Sequence, residues 1–380
     1  MWQVKRESLS QVLDILAMVP EKLGIPSSEY IWIRGKGKHI TMSVASYISG
    51  EVQLNGEGSW PFAGKNFYLD RRTFVPWVMA ARESKEKHRF QFHRKTDQLY
   101  LKHGNRTVTF SNQSKIRGYG DLRRINAEEN HSVPITRELK EILRCGSNCA
   151  VSDTIQPHLN AVVIKGKGST VVSYAASDYV FYMGKGELDK SETISSVQFP
   201  LFLVGLLDVA GLRKISTIGK YVMLKFKHGV VWQPISEEVD KDFPLSRIKK
   251  YAKQATKMPV TFTTSGRRFS RMMVRLGYYL QSVRRRDWVV TVKGDKGDDY
   301  IKIRSMIPGV AFKETLSVAT KLPADFSISW PLATLAPAFE FISKRSRKMP
   351  LIVRLDKQQT TSYVQIGKFW FCVPSKQEEA

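Results

Sequence analysis

Short runs in which apolar and polar residues alternate, joined by tight glycine-bearing turns, recur along this chain. Tyr30-Ile31-Trp32-Ile33 and Ile40-Thr41-Met42-Ser43-Val44 flank the turn Arg34-Gly35-Lys36-Gly37-Lys38. Ala161-Val162-Val163-Ile164 and Thr170-Val171-Val172 flank Lys165-Gly166-Lys167-Gly168. Trp288-Val289-Val290-Thr291-Val292 and Tyr300-Ile301-Lys302-Ile303 flank the looser Lys293-Gly294-Asp295-Lys296-Gly297. A period of two belongs to a strand with one buried face, and glycine supplies the positive φ that a tight hairpin needs. Gly35, Gly166 and Gly294 stand about 130 residues apart, close to a third of the 380-residue length, so one unit is written three times.

Between the strand runs the period changes to 3.6, and each third divides again into a helix followed by strands. Leu9, Val12, Leu13 and Leu16 make the first helical stripe, with Ser8 as the expected cap and Pro20 as the stop. Phe74, Trp77, Val78 and Ala81 make the second, within Arg71 to Lys85; Pro76 is expected in its first turn, which puts the start at Thr73. The third opens at Thr136 and carries Leu139, Ile142 and Leu143, and the fourth runs from Pro200 through Leu212. The fifth, Ser265 to about Ser282, sets Phe269, Met272, Met273, Leu276 and Leu280 against Arg267, Arg268, Arg271 and Arg275. The sixth starts at Pro331 and buries Leu335, Ala338, Phe339 and Ile342. Ser114 to Asn130 and Ser236 to Met258 read as linkers. The expected fold is α+β: three pseudo-repeated domains, 1–125, 131–240 and 257–380, each of two half-units of one helix packed on antiparallel strands, in an arc or half-ring.

Charge then narrows the function. Lys and Arg number 60 against 35 Asp and Glu, a formal +25, which calls for an anionic partner with nucleic acid first and a membrane surface second. No run approaches the 18 apolar residues of a spanning helix, and the first residues lack the apolar centre of a secretory signal. Three cysteines in a chain this long do not make a disulfide scaffold, and a reducing, cytoplasmic setting is expected.

Several stretches resemble the bacterial replicative sliding clamp, the β subunit of the polymerase III holoenzyme. Pro157-His158-Leu159-Asn160-Ala161-Val162-Val163-Ile164 resembles that family's aromatic-Leu-Asn-Gly-Val strand. Ala175-Ala176-Ser177-Asp178-Tyr179 stands where the family writes Ala-Thr-Asp-Gly-His-Arg-Leu. Asp240-Lys241-Asp242-Phe243-Pro244-Leu245-Ser246-Arg247 resembles Asp-Gly-Arg-Phe-Pro-Asp-Tyr-Arg, and Phe371-Cys372-Val373-Pro374 lies where clamps end in Val-Val-Met-Pro. The departures are Tyr179-Val180-Phe181 for Gly-His-Arg, Ser375 to Ala380 for the final Arg-Leu, and a basic charge where clamps are acidic overall. A divergent clamp, phage-encoded for instance, accommodates them. The resemblance implies a non-enzymatic processivity factor: a homodimeric ring around double-stranded DNA, tethered to a DNA polymerase or other proteins with clamp-binding motifs, and placed by a clamp loader. It also implies a peptide pocket at Leu159, Ser177, Asp178, Tyr179, Val180, Phe181, Pro244, Phe371 and Val373. The alternative is a clamp-fold DNA-binding or regulatory protein that closes no ring.

The residues themselves offer basic helix faces for phosphates, which position DNA without reading sequence. The candidates are Arg82 and Lys85; Arg137, Lys140 and Arg144; Arg213 and Lys214; Arg247; Arg267, Arg268, Arg271 and Arg275; and Lys344, Arg345, Arg347 and Lys348. Each set, taken singly, equally describes a solvated outer face. Gly58 to Lys65 is no phosphate loop, having five residues between its glycines and Asn66 where Ser or Thr is required. Cys145 and Cys149 lack further ligands at zinc spacing, and the pairs Asp298-Asp299 and Glu237-Glu238 read as loop acids. Neither catalysis nor a metal or cofactor is expected.

Overall fold

The computed structural model of the chain describes residues 1–22, 25–81, 89–113, 116, 131–150, 157–188, 194–209, 211–235, 241–283, 289–307, 310–344 and 349–374. It falls into two compact units, 1–135 with 205–235 and 136–204 with 236–380. Among the described residues no helix is long and apolar enough to cross a membrane.

In the first unit β1 (Trp2–Lys5) runs straight into α1 (Arg6–Ala17), which buries Leu9, Val12, Leu13 and Leu16 as their spacing predicts. The helix begins before Ser8 because β1, paired along β7 (Arg89–Lys95), delivers the chain to it directly. A short α2 (Pro26–Glu29) follows. Then β2 (Tyr30–Lys36) and β3 (His39–Ala45) pair through Lys36 and His39 around Gly37 at φ 59°, the positive-φ hairpin expected of the glycine-lysine turn. The strands β4 (Ser49–Asn55), β5 (Glu57–Gly58) and β6 (Phe67–Asp70) lead to α3 (Arg71–Ala80). Asp70 caps α3 by accepting the Arg72 N–H at 2.8 Å, so the helix starts two residues before Thr73 and carries Pro76 inside it. The unforeseen buried Arg71 explains part of that start. Its guanidinium donates to the Leu16 and Ala17 carbonyls at 2.9 and 2.7 Å, filling the open end of α1.

Two sheets complete this unit. A five-stranded sheet runs β5-β1-β7-β8-β9, with β8 (Gln98–His103) and β9 (Arg106–Ser111). Trp2 packs edge to face with Trp60 and Phe92, and Trp60 and Phe92 are tilted against each other, with all three centroids 5.2 to 5.7 Å apart. An eight-stranded sheet takes in β10 (His131–Pro134), β15 (Leu212–Ile218), β16 (Tyr221–Phe226) and β17 (Gly229–Pro234), ordered β10-β15-β16-β17-β4-β3-β2-β6. The antiparallel pair Trp232↔Ser49 to Gly229↔Val52 thus joins the strands of 205–235 to those of residues 30–70 in one sheet.

The second unit opens with α4 (Arg137–Ser147), where Thr136 accepts the Leu139 N–H at 3.0 Å, the cap predicted for it. Then come β11 (Ala161–Lys167), β12 (Thr170–Ala176), β13 (Phe181–Glu187) and β14 (Ile194–Pro200), with Gly168 at φ 62° in the β11–β12 hairpin. The helix after Pro200 is shorter than expected. An α5 (Leu201–Gly205) gives way to a 3₁₀ turn, Leu206–Asp208, and Leu212 already belongs to β15. Its run is apolar enough for burial, but glycines at 205 and 211 stop it early, Gly211 at φ 85°.

The stretch read as the second linker instead holds a helix, α6 (Leu245–Ala255). After β18 (Val260–Ser265) comes α7 (Gly266–Val283), burying Phe269, Met272, Met273 and Leu276. A four-stranded sheet runs β21-β20-β19-β22, from β19 (Val289–Gly294), β20 (Tyr300–Ile307), β21 (Val310–Ser317) and β22 (Phe326–Pro331). α8 (Leu332–Ser343) starts after Pro331 and packs on α7 through Phe269 and Phe339, 5.4 Å between rings. Their closeness needs Gly277, whose added Cβ would lie 3.0 Å from that of Ala336. The strands β23 (Pro350–Leu355), β24 (Thr361–Ile366) and β25 (Phe369–Pro374) finish a second eight-stranded sheet, β14-β11-β12-β13-β25-β24-β23-β18. Here the β13–β25 pairing, Phe181↔Cys372 to Gly184↔Phe369, joins the strands of 161–200 to those of 260–374 in one sheet.

Candidate nucleic-acid and peptide interfaces

The basic candidates divide by what each side chain touches. On α7 the stripe opposite the buried face is real: Arg268, Arg271 and Arg275 are exposed and meet around a cavity of about 430 Å³ also lined by Val274, Glu314 and Ser343, while Arg267 is half-buried. Arg275 is engaged there, donating through Nη2 to both carboxylate oxygens of Glu314 at 2.8 and 2.6 Å. On α4 Arg137 is exposed and pairs with Glu141 at 3.2 Å, whereas Lys140 and Arg144 are half-buried. Lys344 follows α8 and pairs with Glu340 at 2.8 Å. Arg213 and Lys214 do not share a helix face. They are neighbours on β15 at a shift in register between Leu212 and Lys214, with Arg213 exposed and Lys214 half-buried opposite Lys225. Arg82, Lys85, Arg345, Arg347 and Lys348 lie outside the described residues.

Arg247 belongs to a different surface, the outer face of the second unit's eight-stranded sheet. Leu159, Tyr174, Ala176, Phe181, Tyr363, Trp370 and Cys372 form one apolar cluster there, and α6 lies on it through Leu245, Ile248, Tyr251, Ala252 and Ala255. The spacing of those five is helical, which fixes the seat of α6. Phe243 and Met258 pack beside them. Burial pushes the Cys372 thiol up to about 12, with Arg247 pulling it the other way, and burial pushes the Tyr363 hydroxyl up to about 12.

The predicted peptide pocket is only partly assembled on this face. Leu159 and Phe181 are in the cluster, and Pro244 immediately precedes α6. Ser177 is buried at the tight turn into β13, where its hydroxyl accepts the Val180 N–H at 3.1 Å. Val180 is buried, while Asp178 and Tyr179 are exposed on the turn. Phe371 and Val373 face the other side of the sheet. Phe371 packs against Phe339 of α8 and Tyr182 of β13, and Val373 shares its parity, so both belong to the helix-covered core. Their neighbours Trp370 and Cys372 face α6. Successive residues of a strand point to opposite faces, so Phe371 and Val373 are divided from Trp370 and Cys372 by the sheet. Ile248 and Tyr251 also belong to this apolar face and were not singled out in the sequence. The alternation Tyr363-Val364-Gln365 and the stripe Ile248-Tyr251-Ala252-Ala255 were the signals that could have found the face.

No family model and no curated protein sequence matches the chain. Solved structures do. The β subunit of the DNA polymerase of Streptococcus pyogenes superposes with a TM-score of 0.80 at 14% identity, over 99% of this chain and all of that one. The DNA polymerase III β subunit of Thermotoga maritima gives 0.76 at 13% identity, over 99% of both chains. The DNA polymerase sliding clamp of Pseudomonas aeruginosa gives 0.76 at 12% identity, again over 99% of both. The fold is that of a bacterial sliding clamp. On this clamp-fold chain α6 exposes Arg247, Lys249, Lys250 and Lys253 on one side and seals the sheet with the other. Among the described residues no three His, Cys, Asp or Glu side chains gather as a metal site. Burial pushes the Cys149 thiol well up, and the neighbouring Cys145 adds to the rise.

Proposed function

We propose that this chain is a DNA sliding clamp, a non-catalytic processivity factor that encircles duplex DNA without reading its sequence and tethers a polymerase or another DNA-acting protein. The carrying observation is the end-to-end likeness to polymerase β subunits, with both chains covered almost completely. The +25 charge and the exposed arginines of α7 suit a sequence-neutral phosphate contact. Three domains, 1–125, 131–240 and 257–380, repeat the unit, and two chains close the ring. The open sheet edges β9 and β21 are the surfaces for that closure, Arg106 on one and Glu314 on the other. The work is done in the cytoplasm of a bacterial cell, with a loader opening the ring.

The test is topological. The protein is placed on nicked circular DNA, washed at high salt, and the circle is then cut once. A ring slides off the new ends within minutes, and a protein held by direct affinity stays. Light scattering reports a dimer for the ring reading. A monomer retained after linearisation would overturn it.

A further inference from the structure

Under the C-terminal half of α6 the outer face of the second unit's sheet opens into a cavity of about 370 Å³. None of the residues assigned to peptide docking by the clamp resemblance lines it. Its apolar wall is the cross-strand pair Met183↔Trp370 together with Ala252 and Ala255 of α6. Its cations are Lys185, Lys253, Arg354 and Lys368, and among the described residues no acidic side chain lines it. Lys368 is engaged by Glu141 at 2.7 Å from outside the cavity, and Arg354 donates to Gln365 at 3.4 Å. Lys185 and Lys253 are exposed, and among the described residues neither has an acidic partner.

A hollow with an apolar wall and a one-signed rim selects its occupant by both features. The volume is in the range of small binding pockets and takes an apolar side chain. The rim takes carboxylates beside it. A DNA duplex brings negative charge but no apolar group to fill the hollow. An unpaired base needs an open aromatic platform, and Trp370 is only 7% exposed. We propose that this cavity is a docking site for an acidic peptide segment of a partner protein, which inserts one apolar side chain against Met183 and Trp370 and sets flanking carboxylates on Lys185, Lys253 and Arg354. The site needs neither ring closure nor DNA, so its fate is separable from that of the clamp reading.

The test uses the full chain and two fluorescein-labelled peptides, acetyl-Glu-Glu-Leu-Glu-Glu and the same peptide with Ser for Leu, followed by anisotropy. The Met183 methyl resonance, assigned by its loss in Met183→Leu, is the local readout. The Leu peptide is expected to shift that methyl and to bind about tenfold more tightly than the Ser peptide. Lys253→Glu and Arg354→Glu should each weaken it about tenfold. The double variant Lys38→Glu/Lys65→Glu, which changes exposed charge on the first unit, should leave binding within about twofold. Thr256→Trp, which fills the mouth from an exposed position, should abolish binding while the melting curve is kept. Binding that survives Thr256→Trp, or no Met183 shift at millimolar peptide, overturns the proposal. So does a short DNA duplex that shifts the Met183 methyl and displaces the peptide, since that assigns the face to nucleic acid.

Discussion

Phe181 of β13 and Tyr251 of α6 lie face to face, their ring centroids 5.4 Å apart and their planes 24° apart. The Arg247 guanidinium sits over both, 5.3 Å from the Phe181 ring and 5.8 Å from the Tyr251 ring. This stack pins a helix whose other exposed residues are mostly cationic. It also gives Arg247 a partner other than phosphate.

Removing the Tyr251 ring should therefore loosen α6 locally. Tyr251→Ala is expected to cost about 1–2 kcal/mol of helix docking, from the aromatic pair and the cation over it. Amide exchange across 245–255 should speed up about tenfold while the strands beneath keep their protection. Unchanged exchange would mean that Ile248 and Ala255 hold the helix unaided.

The stripe on α7 makes a different kind of prediction. Arg268 and Arg271 are exposed and no acidic partner reaches them among the described residues, so replacing both by alanine should leave thermal stability unchanged. If each contacts one phosphate, the slope of log K against log salt should fall by about 1.8. Arg275→Ala should act otherwise, because it leaves Glu314 on the edge strand β21 without its bidentate partner. Its main effect should be on self-association, measured by analytical ultracentrifugation. Equal DNA-binding losses for Arg275 and Arg271 would contradict this division.

What was legible in the sequence follows from how many neighbours a feature needs. Gly37, Gly168 and the Thr136 cap are decided within four residues, and each is where the local chemistry requires. The α7 stripe is decided within five turns by a strong contrast of arginine and apolar residues. Helix α6 was hidden because four of its eleven residues, Arg247, Lys249, Lys250 and Lys253, are basic, and that composition imitates a linker. Its apolar stripe has meaning only against the strand pair Phe181↔Cys372, whose residues are far apart in sequence. Nothing local marks Arg71 for burial, because its acceptors at the end of α1 lie some 55 residues earlier. The faces of Phe371 and Val373 depend on a register that a terminal proline does not fix.

The three cysteines should behave as buried hydrophobes. Cys145, Cys149 and Cys372 are free and fully buried, and burial raises the thiols of Cys149 and Cys372. At pH 8 Ellman's reagent should modify none of them in the native protein and all three in guanidinium chloride. Rapid stoichiometric reaction of one native thiol would show that its cover opens.

Glu141 on α4 ties the β24–β25 hairpin to the helix and should make the second unit acid-sensitive. Its carboxylate accepts from Lys368 Nζ at 2.7 Å and from Arg137 Nε at 3.2 Å. Burial by itself raises the Glu141 carboxyl, but the hydrogen bonds and charges of Lys368 and Arg137 outweigh it and hold the group below its ordinary value of 4.5. A carboxyl depressed in the folded state binds protons more readily when unfolded. Its stabilising contribution is then complete above the unfolded value and disappears as pH falls through the lower folded value. Glu141→Gln removes that dependence and weakens two charge-assisted hydrogen bonds, for an expected cost of about 1 kcal/mol at neutral pH. Thermal melts of the two proteins should differ at pH 7, keep that gap down to about pH 5, and converge in stronger acid. A gap that persists undiminished at the acid end would show that the substituted glutamine disturbs packing rather than charge, and that Lys368 is held by some other group.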